Sequence, residues 1–157
     1  MSLLRRTRVL MCTDSLALGG AERVAVDLAN SLDRRTHEVT FCATRGGGPL
    51  AERLAPDIEV LTLGRRATWD LPALLRFARW VRQRDTDVIH THGRGTMRFV
   101  ALARALRLID VVHVAHDHFG WLHVDRGAPR SLAVPLRSVD AYLGVDSRLC
   151  DWAVREA

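Results

Sequence analysis

Residues 8–23, RVLMCTDSLALGGAER, constrain the fold more than any other stretch of the chain. Residues 9–13 are a nearly continuous apolar run, which suits a strand buried on both faces of a parallel sheet. Gly19 and Gly20 then break the chain. From there Ala21, Val24, Ala25, Leu28, Ala29 and Leu32 recur at helical spacing and share one face. Strand, Gly-Gly and helix make a βα unit whose loop lies at the carboxyl edge of a sheet, where α/β proteins bind ligands. The glycines let backbone N–H groups approach an anion, and the helix start adds a favourable dipole. Neither Gly-x-Gly-x-x-Gly nor Gly-x-x-x-x-Gly-Lys-Ser/Thr is present, so the dinucleotide fingerprint and the P-loop are excluded. A plain tight turn is the other use of such a pair.

The same alternation continues along the chain. Residues 37–43, 58–63, 87–93, 111–118 and 139–145 read as five further strands. Residues 45–49 read as a glycine-rich loop, and 50–54 as a short helix. Asp70 is a good N-cap with Pro72 near N1, and the helix it opens runs to about Arg84. That helix is expected to bury Leu71, Leu74, Leu75, Ala78 and Val81, leaving Arg76, Arg79 and Trp80 on an exposed face able to touch an anionic membrane. Arg94 opens the next helix, to about Leu108. Residues 119–129 read as a long loop, 132–136 as a short helix weakened by Pro135, and Ser147 starts the last helix. This order predicts an α/β fold: a Rossmann-like, doubly wound parallel sheet of about six strands with helices on both faces.

Composition narrows the function classes. A chain of 157 residues is one domain, long enough to bury a core. Every one of its 23 basic side chains is arginine, scattered along the whole length with no aromatic–basic module, so no nucleic-acid partner is expected. Cys12, Cys42 and Cys150 are widely spaced without a Cys-x-x-Cys, the usage of reduced thiols in a cytoplasmic protein. No uncharged run approaches the ~20 residues of a membrane span.

Six of the seven histidines fall between His90 and His123. Residues two apart on a strand share a face, so His90/His92 and His116/His118 form two same-side pairs. Zinc needs three or four converging ligands, and residues 92–95 (HGRG) add none after His92, so no metal is expected. Asp117 beside His116 either fixes the imidazole tautomer and raises its pKa or caps the following turn.

Residues 18–24 (LGGAERV), 37–40 (HEVT), 48–50 (GPL), 87–92 (DVIHTH) and His116-Asp117 resemble, in order and spacing, the N-terminal domain of family 4 glycosyltransferases. The resemblance covers nearly the whole chain and implies one half of a GT-B fold in a retaining enzyme. It implies that Gly19 and Gly20 approach the distal phosphate of a nucleotide-sugar donor, that His116 lies beside the transferred sugar as the catalytic residue, and that His92, Arg94, Asp117 and the loop at residues 46–48 meet the acceptor. No metal or other cofactor is implied. The family's Glu-x7-Glu pair is missing, since Glu occurs only at 22, 38, 52, 59 and 156. Val145-Asp146-Ser147 also stands where relatives often have Val-Ser and a polar residue. Residues 1–157 are therefore expected to be the acceptor-side domain of a cytoplasmic transferase, inactive without a C-terminal donor-binding domain or a partner chain supplying it. The competing readings are a non-catalytic binding module working with a partner chain and a histidine-based metallohydrolase.

Overall fold

A computed structural model describes residues 5–119 and 130–156. In chain order it contains β1 (Thr7–Ser15), α1 (Gly20–Ser31), β2 (His37–Gly46), a 3₁₀ turn (Pro49–Arg53), β3 (Glu59–Thr62) and α2 (Leu71–Gln83). Then follow β4 (Val88–His92), α3 (Arg94–Ala105), β5 (Val112–Asp117), α4 (Arg130–Leu136), β6 (Ala141–Gly144) and α5 (Ser147–Glu156). The strands form one sheet of order β3-β2-β1-β4-β5-β6, and every pairing is parallel. The doubly wound α/β sheet expected from the sequence is present.

Two cores explain the continuous apolar strands. Val9 and Met11 of β1 and Val39 and Phe41 of β2 face α1, packing on Ala25, Val26 and Ala29. Leu10, Cys12, Cys42 and Ile89 face the other way, onto Phe77 of α2 and Phe99 of α3. Those two rings meet edge to face at 5.3 Å. A third cluster, Met97, Ala115, Leu136, Trp152 and Ala153, carries α4 and α5 on the α3 side of the sheet. On the α1 side, β5 and β6 leave Val112 and Leu143 exposed.

Several local expectations change. β2 runs on to Gly46, because Ser15 pairs with Gly46 after a register shift in β1. Part of the expected glycine loop is therefore strand. Asp70 caps α2 as predicted, accepting from the Ala73 N–H at 3.1 Å. The buried face of α2 is Ala73, Leu74, Phe77, Ala78 and Val81, while Leu71 and Leu75 are exposed. Trp80 lies on the shoulder of that face rather than opposite it. It is half-buried against the core, with the Arg84 guanidinium 3.1 Å from its ring centroid. Arg76 donates to the Leu63 carbonyl at 2.5 Å. The helix from Arg94 stops at Ala105, where Arg107 takes a positive φ of 54°. The loop expected at 119–129 lies outside the described residues beyond Phe119. Among the described residues, no helix is long and apolar enough to cross a membrane.

Candidate site at the carboxyl edge of the sheet

β1 and β4 are neighbours, yet the chain leaves β1 toward β2 and leaves β4 toward β5. The connections after them therefore run to opposite sides at this switch point, the usual ligand position in such sheets. Residues 16–19 follow β1 and Gly93 follows β4 at this edge. Gly93 needs its glycine: φ is 93°, and its N–H is tied to the His116 carbonyl at 2.9 Å. Gly48 needs its glycine for space, since a Cβ there would overlap the Leu16–Ala17 backbone. Leu50 N–H donates to the Leu16 carbonyl at 3.0 Å, so the loops after β1 and β2 are locked together. Open grooves of ≈ 800 Å³ and ≈ 490 Å³ lie along the helices, against Arg104 and Leu108 and against Trp69 and Val134.

Gly19 is the N-cap of α1 in extended backbone (φ −144°, ψ 160°), so positive φ is not what the pair provides. What it provides is room. Nothing lies within 4 Å of a Cβ built on Gly20, and the corresponding space at Gly19 holds the Glu22 carboxylate. The start of α3 is arranged similarly, with the Asp14 carboxylate where a Gly95 Cβ would be. Asp14 also accepts from Thr44 Oγ1 at 3.2 Å and is salt-bridged by Arg65. The Arg65 side chain is wholly buried, and desolvation lowers its pKa.

The histidines converge. His90 and His92 of β4 face the α1 side, and His116 stands directly across from His92 in β5. Ring centroids are 4.5 Å apart for His90 and His92, 5.1 Å for His92 and His116, and 5.7 Å for His90 and His116. His118 closes the group, its Nε2 3.0 Å from His92 Nδ1. Burial, then the neighbouring imidazoles, pushes His90 down to about 4 and His92 to about 2. Burial leads for His118 as well, which falls to about 4. His116 is also lowered by burial, against the pull of Asp117. The raised pKa weighed for it from its neighbour is therefore not found. All four rings are neutral at pH 7.

Asp117 points to the opposite face of the sheet, toward α3. Its Oδ2 accepts from Arg94 Nε at 2.7 Å and from Tyr142 Oη at 2.9 Å, and its Oδ1 accepts from the Phe119 N–H at 3.0 Å. It is only 3 % exposed. Arg94 runs beside Trp152, 5.1 Å from the ring centroid. Of the six residues expected at the site, Gly19 and Gly20 therefore stand at the start of α1, and His92 and His116 on the α1 side of β4–β5, all at the carboxyl edge. Arg94 and Asp117 form a buried lock on the α3 side. The sequence reading missed Glu22, Asp14, Arg65 and Tyr142. Only Glu22 carried a signal, as the third helical residue after a glycine N-cap.

An all-parallel sheet of this order with helices on both faces is a Rossmann-like α/β fold. The Glycosyltransferase Family 4 profile matches residues 18–155, and the chain belongs to that family. Among solved structures it is similar to the lipopolysaccharide outer core galactosyltransferase WaaB in its apo form (12 % identity, TM-score 0.65). It is also similar to HepE of Anabaena in complex with UDP (15 %, 0.68) and to MurG of Acinetobacter baumannii (17 %, 0.61). These alignments cover 96 %, 96 % and 89 % of this chain but 43 %, 41 % and 42 % of the others. The chain thus spans about two fifths of the length of these structures. No curated protein matches it.

Proposed function

We propose that the chain is the N-terminal, acceptor-side half of a retaining glycosyltransferase, moving a sugar from a nucleotide-sugar donor to an acceptor hydroxyl. One observation carries this reading: β1 and β4 are neighbours in the sheet, so the β1–α1 loop and the β4–β5 histidines stand at the same carboxyl edge, at the switch point. In this reading the amides at Gly19 and Gly20 stabilise charge on the leaving diphosphate, a preorganised electrostatic role. Neutral His116 hydrogen-bonds the transferred sugar as the catalytic residue, and His92 meets the acceptor. Arg94 and Asp117 serve the acceptor side as positioning residues, bracing the chain at His118 and Phe119 from behind. Transfer needs no metal. The donor-binding half comes from a longer chain or a partner, so residues 1–157 alone turn nothing over. The basic face offered to an anionic membrane centres on exposed Arg79, since Arg76 also donates to the Leu63 carbonyl and Trp80 packs on the core.

The test is an amide-shift titration of the labelled 157-residue chain with millimolar uridine diphosphate, the nucleotide found with HepE. Shifts centred on Gly19, Gly20 and Gly93 are expected. Shifts confined to other surfaces would overturn the site assignment. Efficient sugar transfer by this chain alone would overturn the need for a second half.

A further inference from the structure

We infer that His90, His92 and His116 form a binding site for a single divalent cation of the zinc type. The inference does not rest on the transferase reading. One ring nitrogen from each of the three lies within 4.8 Å of the other two. Nitrogens sharing a tetrahedral zinc at about 2.1 Å stand about 3.4 Å apart, so closure needs only modest ring rotations. The backbone enforces the convergence. Alternation on β4 puts His90 and His92 on one face, and the parallel register sets His116 across from His92.

The second observation is a set of orphaned polar atoms. His90 Nε2, His92 Nε2 and His116 Nδ1 are buried and, among the described residues, have no hydrogen-bond partner. Leaving a buried polar atom unpaired is costly, so three on adjacent rings need a common explanation. A shared cation supplies one. All three donors are imidazoles with no carboxylate among them, which suits zinc, nickel or copper and argues against magnesium or calcium. His118 completes the arrangement. Its Nε2 lies 3.0 Å from His92 Nδ1, and with His92 as the donor of that bond the His92 Nε2 lone pair is left free for a cation. Metal-bound histidines are usually oriented by an outer partner of this kind. Three protein ligands leave a fourth position for water. Cation and sugar would compete for His92 and His116, so their occupancies are mutually exclusive.

The sequence reading weighed zinc on these histidines and set it aside because two same-side pairs on separate strands show no complete ligand set. Which strand lies beside which, and in what register, is what turns two pairs into one cluster.

The untagged chain is dialysed against micromolar zinc, analysed for bound metal, and titrated separately with cobalt. One equivalent of zinc per chain is expected, with the strong visible bands of four-coordinate cobalt. His90→Asn and His116→Asn should each weaken zinc binding at least tenfold, and His118→Asn about 10–100-fold. His37→Asn, on β2 and outside the cluster, should leave it unchanged. Should the cluster variants fail to fold, zinc protection of His90, His92 and His116 against diethyl pyrocarbonate in the unaltered chain decides the matter. Substoichiometric zinc, affinity indifferent to all three substitutions, or no protection would overturn the site. The uridine diphosphate titration is unaffected by that outcome.

Discussion

Asp117→Ala removes one buried carboxylate and leaves three donors facing the gap. The Arg94–Asp117 pair has side-chain exposures of 15 % and 4 %, so water can replace little of what is lost. Breaking a buried pair by removing one partner costs about 3–5 kcal/mol. The residual exposure of Arg94 favours the low end, while the stranded Tyr142 hydroxyl, whose pKa burial and Asp117 already raise, adds about 1 kcal/mol. A loss of about 4 kcal/mol lowers Tm by roughly 8–16 °C in a chain of this size. Urea unfolding of the variant, followed by tryptophan fluorescence, measures it directly. The double variant Arg94→Met/Asp117→Leu is the critical control, since apolar replacement of a buried pair is often nearly neutral. It should recover at least half of the loss. A single-variant cost within about 1 kcal/mol, the range of exposed pairs, would refute the argument, as would a double variant no more stable than Asp117→Ala.

Acid should unfold the domain earlier than its carboxylates alone require. His90, His92 and His118 are depressed to about 4, 2 and 4, and unfolding returns each toward about 6.5. Between those limits the unfolded chain binds more protons, so stability is full above about pH 6.5 and falls as pH drops toward 4. His92, at 3 % exposure, supplies up to about 1.4 kcal/mol per pH unit. A urea midpoint that does not move between pH 7 and pH 5 would contradict this. Gly48→Ala forces a Cβ against the Leu16–Ala17 backbone and should cost about 1–3 kcal/mol, by thermal melting. Gly47→Ala has open space within 4 Å and should change stability by less than about 0.5 kcal/mol.

The sheet was legible because its central strand is buried on both faces and apolar at nearly every position, as in residues 9–13. Strand ends were less legible. β2 continues through Thr44 to Gly46 because Thr44 is buried and its carbonyl accepts from the Arg65 N–H at 2.8 Å. On α2, Leu71 and Leu75 fit an apolar stripe as well as Ala73 and Phe77 do. The rotation of the helix is chosen by which stripe meets Phe99 and Leu10, a fact outside the segment. Gly19, Gly20, His92 and His116 were legible at the edge because each closes or follows a strand. Asp117 sits one residue further along than His116 and so points through the sheet, which is why its neighbour says little about it. Arg65 is one of 23 identical cations, and nothing local marks it as the buried one.

The Glu22 carboxylate resting over Gly19 has a consequence for any anion that arrives there. The free domain keeps a tethered anion at the entrance of α1, so an incoming phosphate enters by exchange and not by filling an empty seat. Its net gain is the difference between two negative groups at one helix start, and the mobile side chain must swing out before the visitor can settle. Such a seat is selective by default: a neutral hydroxyl or a lone carboxylate offers little advantage over the occupant already there, whereas a group with several charged oxygens does.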